Sequence, residues 1–166
     1  GTYAGPISHR LFRKSGAYLV PTLLAGDTVV QMAKNTNILT ESQKAKAIRV
    51  GADMQGNFAK AVDAGVKIAF GTDSGVSKHG ENAREAVLMH QAGMDTMAII
   101  HSATVNAAEL IGMSDSIGTL EVGKQADIVA TDGSPLEHIE ELLDVDFVMK
   151  GGKVFVDKTE KSMEVL

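Results

Sequence analysis

Thr72, Asp73 and Ser74 stand directly behind an apolar run in the stretch IAFGTDSG at 68–75, and His79 follows in the same polar segment. A carboxylate at such a place has three chemical uses. It can ligate a hard or borderline cation, take a proton from a bound water, or accept the free N–H groups that open a following helix. Spacing by itself leaves all three open, and a cap is the commoner role of an Asp in a strand-to-helix turn. His79 lies in HGEN, where its ring can contact a substrate, support a site group from behind, or hydrogen-bond a helix end. Thr22 and Ser74 could orient site groups, although turn and strand-end hydrogen bonds account for them equally well. The other four histidines carry less. His9 is expected on a polar helix face beside Arg10, His90 and His101 partly buried among Met89, Ile99 and Ile100 with one hydrogen bond, and His138 at the surface. Met89, Met94, Met97 and Met113 read as core filling.

The elements that must position these groups are marked by their punctuation. Pro6 can open a helix over 6–15 that Gly16 closes, with AYLVPT a strand after it. Thr40 and Gln43 have capping-box spacing, and Ala47, Val50, Met54, Phe58, Ala61 and Val62 recur at helical spacing up to Gly65. VKIAF then reads as a continuous apolar strand of the kind buried on both faces of a parallel sheet. Helix, glycine, strand is the rhythm of a βα unit, and in such folds the loops after the carboxyl ends of the strands collect ligand-binding side chains. Asp73 belongs to such a loop. Further helices are expected over Glu81–Gln91, behind Asp95, over Thr104–Leu110 and over Pro135–Leu143. The last 50 or so residues turn β-rich, and DFVMKGGKVFV is a hairpin signal across Gly151-Gly152. Asp127 precedes a strand, where a turn hydrogen bond is expected.

Composition narrows the chemistry further. The 166 residues are 44% hydrophobic with a net charge of −5. That is enough apolar content for one domain-sized core. No block of Lys and Arg marks a nucleic-acid or anionic-membrane surface, and no apolar run approaches the ~20 residues of a membrane span. The lack of cysteine excludes disulfides and thiolate metal sites.

Beyond this physics, the chain resembles the C-terminal portion of the amidohydrolase superfamily, in its imidazolonepropionase-like and Xaa-Pro dipeptidase (prolidase-like) branch. VPT at 20–22, GTDSG at 71–75, HGENAREAVLM from 79 and AGM at 92–94 carry the resemblance, together with SATVNAAELIGM from 102 and IGTLEVGKQADIVATDGSPLEHI from 117. The last two are the most specific. The family implies an α/β fold: the last two strands and helices of a (β/α)8 barrel over 1–115, and the C-terminal strands of a small β-sandwich over 116–166. A whole barrel takes ~250 residues, so the chain reads as a C-terminal fragment of its parent.

The resemblance also implies a chemistry, the hydrolysis of an amide or peptide bond by metal-activated water. Family members hold one or two divalent metals, often zinc, through His-x-His on the first barrel strand, a carboxylated Lys or Glu on the fourth, His on the fifth and sixth, and Asp on the eighth. Only that Asp has a counterpart here, Asp73, which the family makes both metal ligand and proton shuttle. His79 takes the place of a substrate contact. The implied substrate is a dipeptide or an N-acyl amino acid, with a cyclic amide or a non-catalytic assembly role as alternatives. The fragment alone is expected to hold no metal and to show no turnover. It is expected to self-associate or to pair with its missing N-terminal half.

Overall fold

The computed structural model describes residues 3–158. Residues 1–2 and 159–166, the ends of the two expected segments, lie outside the described residues.

Local signals set the helices. α1 (Pro6–Ser15) begins at the proline and ends before Gly16. A strand was expected over AYLVPT, yet ladder pairing covers only β1 (Tyr18–Leu19). Pro21 has no N–H to give a sheet, and Thr22 turns into the left-handed region at φ 52 and starts α2 (Leu23–Asn35). That helix was not legible in the sequence. α3 (Glu41–Asp63) opens with the full capping box: the Thr40 hydroxyl accepts from Gln43 N and the Gln43 side chain accepts from Thr40 N. α2 and α3 pack together closely, since a Cβ on Gly51 would fall 2.4 Å from Val30 Cγ2.

β2 (Lys67–Ile68) lies parallel to β1, in the register Tyr18 with Lys67 and Leu19 with Ile68. Ala69 N continues the pairing to Leu19 O at 3.1 Å, but Phe70 N turns away to Ser102 O at 2.9 Å. The VKIAF strand is therefore shorter than its apolar run. It is also not buried throughout: Val66, Ile68 and Ala69 are buried, while Lys67 is exposed, paired with Glu109 at 2.8 Å and placed 4.9 Å over the Tyr18 ring.

α4 (Arg84–Gln91), α5 (Thr96–Ala103) and α6 (Val105–Leu110) follow. Asp95 caps α5 through Ala98 N as its position predicts. Asn106 on α6 donates to Ile68 O at 2.8 Å and so ties that helix to β2. The main core gathers Leu19, Leu24, Phe58, Ile68, Met89 and Ile99 between the strand pair and the helices.

The tail is a three-stranded antiparallel sheet in which β4 (Phe147–Lys150) lies between β3 (Ile128–Ala130) and β5 (Lys153–Asp157). The expected hairpin is present: Gly151 and Gly152 have φ 56 and 78, the two positive values that a two-residue I′ turn demands. Asp127 accepts from Gly151 N at 2.7 Å, the turn bond expected of it. The helix expected over Pro135–Leu143 is only a 3-10 turn at Ile139–Leu143, whose buried Ile139 packs toward α4. The described residues form a mixed α/β structure with two small sheets.

Candidate active site

The carboxyl end of the β1–β2 pair leads into the loops that carry the polar groups. Behind β2 the chain reaches Thr72, only 8% exposed, and then Asp73, exposed and in left-handed backbone at φ 51. Asp73 is not braced by its own side chain but by its neighbours. Thr72 Oγ1 and Ser74 Oγ lie 2.8 Å apart, and Asn82 Nδ2 donates to both, at 3.2 and 3.0 Å. Ser77, buried, continues the network to Ser74 at 3.3 Å. The loop is thus cross-linked from both sides of Asp73 while its carboxylate stays open to solvent. Gly71 makes the approach of the strands possible, because a Cβ there would fall 2.5 Å from Val20 Cγ1.

The group that sequence reasoning missed is Glu85. It is fully buried on α4, and its two carboxylate oxygens accept from Leu23 N at 2.8 Å and Leu24 N at 2.6 Å. These are the first free donors of α2, so a carboxylate from a distant helix does the work of an N-cap. Burial pushes its pKa above the ordinary carboxylate value, and the two N–H donors pull the other way. A signal was present: Glu85 shares one helix face with Leu88 and Met89, both buried, and a lone acid on an apolar face needs a partner.

His79 lies exposed in the loop between Asp73 and α4, and the two share no hydrogen bond among the described residues. Three other expectations are corrected. His9 is 5% exposed rather than solvated, and its Nε2 has no hydrogen-bond partner among the described residues. It lies one turn before Phe12, which packs on the core, and the same helix face carries both inward. His101 is exposed, because Ile99 and Ser102 take the buried face of α5. His90 is exposed too, though its Nδ1 does meet Met94 O at 3.2 Å. His138 is at the surface. Of the four methionines, Met89 and Met94 fill the core and Met97 and Met113 do not.

Zinc takes about three protein ligands, and among the described residues no three His, Asp or Glu side chains converge on a point. These residues alone do not compose a metal centre; Asp73 is a single carboxylate.

The model of the Amidohydrolase family matches residues 5–155. The crystal structure of a Xaa-Pro dipeptidase with bound methionine in the active site superposes with a TM-score of 0.88 and 42% identity, covering 94% of this chain and 38% of that one. Ochratoxinase of Aspergillus niger is 31% identical over 159 residues, which is 93% of this chain and 32% of the relative. Imidazolonepropionase of Alkaliphilus oremlandii is 28% identical over 145 residues, 82% of this chain and 34% of the relative. The chain spans well under half the length of each of these proteins.

Proposed function

The chain belongs to the amidohydrolase family, and from that premise we propose that it supplies the last two strand-helix units of a (β/α)8 barrel in a divalent-metal hydrolase. That enzyme cleaves the amide bond of a dipeptide or an N-acyl amino acid, and Asp73 is the carboxylate this chain brings to the reaction. The observation that carries the reading is the setting of Asp73. It lies past the carboxyl end of a parallel strand, in left-handed backbone, with both flanking hydroxyls tied down and its own oxygens without a hydrogen bond among the described residues. A group needed only for packing or capping has no use for that combination.

In this reading Asp73 takes a proton from the water that attacks the scissile carbonyl carbon. As the C–N bond breaks, the same proton passes from Asp73 to the departing amine nitrogen, which leaves neutral. His79 borders the crevice and contacts the substrate. Asp73 would also be one ligand of a divalent metal, zinc by family resemblance, which would polarise the carbonyl and lower the pKa of the attacking water; the other ligands would have to come from outside the described residues.

The likeness to a Xaa-Pro dipeptidase supports a dipeptide substrate. A cyclic amide is the second reading, supported by the imidazolonepropionase relative. Assay of the intact protein separates them: Xaa-Pro dipeptides, N-acyl amino acids and a cyclic imidazolone acid are offered side by side, with and without chelation. Dipeptide turnover that chelation removes and added zinc restores is expected. Turnover of the cyclic amide alone would favour the second reading, and turnover of none would favour a non-catalytic assembly role.

A further inference from the structure

Two residues other than glycine have left-handed backbone among those described, Thr22 and Asp73, and each lies just past the carboxyl end of one of the two paired parallel strands. Such backbone persists in a non-glycine residue only where its surroundings over-determine it. Here the surroundings of both come from one four-residue stretch. Asn82 bridges Thr72 and Ser74 across Asp73, and Glu85 grips Leu23 N and Leu24 N, the two peptides that follow Thr22. Glu85 N donates to Asn82 O at 3.1 Å and closes the turn that joins them.

Helix capping does not require this arrangement. Thr40 and Asp95 cap α3 and α5 with their own side chains from extended backbone, as N-caps ordinarily do. Thr22 makes no side-chain cap bond among the described residues. The donors at the start of α2 are instead satisfied by a side chain 61 and 62 residues away, on the helix that follows the Asp73 loop.

We propose that Asn82 and Glu85 are positioning residues: together they form a brace that fixes the two strand-end loops relative to one another and so sets where the Asp73 carboxylate stands. Neither touches the reacting atoms. This rests on the role proposed for Asp73, and the experiment is chosen to separate the two.

In the intact protein, kcat, KM and melting temperature are measured for Asp73→Asn, Asn82→Ala, Glu85→Gln and Glu85→Gln with Thr22→Gly, alongside hydrogen exchange at Leu23 and Leu24. Small misplacements of a reacting group cost up to about 100-fold in rate. Asn82→Ala, a change at an exposed residue, is expected to lower kcat about tenfold or more with KM little moved and the melting temperature nearly kept. Glu85→Gln is expected to speed exchange at Leu23 and Leu24 and to lower kcat. Adding Thr22→Gly, which allows left-handed backbone without strain, should restore part of that kcat. Asn82→Ala and Glu85→Gln with wild-type kcat, beside an inactive Asp73→Asn, would overturn the brace and leave the role of Asp73 standing. An active Asp73→Asn would instead remove the role of Asp73 and the positioning claim with it. If Glu85→Gln fails to fold, Asn82→Ala alone decides.

Discussion

Glu85 is a carboxylate buried with two backbone donors and, among the described residues, no ion pair, and that choice has a measurable consequence. Its pKa in the folded protein lies above the ordinary 4.5, burial outweighing the two hydrogen bonds. An acid whose folded pKa is raised contributes stability that is fully present below its unfolded pKa and is lost as pH rises through the folded one. The melting temperature of the wild type relative to Glu85→Gln should therefore fall as pH is taken from below about 4.5 toward neutral. A difference that stays constant over this range would contradict the assignment. Thr22 offers a second test at the same scale. Left-handed backbone costs a non-glycine residue about 1–2 kcal/mol, and glycine gives back about 0.5–1 kcal/mol in chain entropy. Thr22→Gly should accordingly raise stability to urea slightly, by up to about 1 kcal/mol; a clear loss would show that Thr22 is not strained.

Packing between elements can be tested at the two glycines of α3. Gly56 has open space around its missing Cβ, whereas a Cβ on Gly51 would strike Val30, a side chain that is stiff in a helix. Gly56→Ala should stabilise by about 0.5–1 kcal/mol through helix propensity alone. Gly51→Ala should gain the same propensity but lose about 1–3 kcal/mol to overpacking, and urea denaturation of the pair would show whether α2 and α3 meet as closely as described. What could be read from the sequence divides along the same physical line. α1, α3, α5 and the Gly151-Gly152 hairpin carry their signals within a few residues, in Pro6, Thr40 with Gln43, Asp95 and the glycine pair, and each lies where those signals put it. α2 has no local cap to announce it, because its donors are satisfied by Glu85. β1 and β2 are shorter than their apolar runs because ladder pairing depends on a neighbouring strand and not on composition. Asp73 was visible as a strand-end carboxylate, while the grip of Glu85 on Leu23 N and Leu24 N joins positions more than 60 residues apart and no spacing rule reaches that far.

As a whole the molecule pairs β1 and β2 only with each other among the described residues, which leaves two open strand edges. Open edges and exposed apolar side chains such as Leu120 and Val122 drive association. We propose that the 166-residue chain self-associates or joins the rest of its barrel; light scattering after size exclusion should show more than a monomer at micromolar concentration, and a stable monomer would count against it. The same chain, dialysed, is predicted to retain no equivalent of zinc, since its described residues bring no three ligands together and a zinc site takes about three. The central claim concerns Asp73 and is tested most directly by the turnover of Asp73→Asn in the intact protein. Asn tolerates left-handed backbone as well as Asp does, so the substitution removes the proton acceptor without disturbing the loop. The account predicts a fall in kcat of at least about 100-fold with the melting temperature nearly unchanged, whereas near-normal kcat in a folded Asp73→Asn would contradict it.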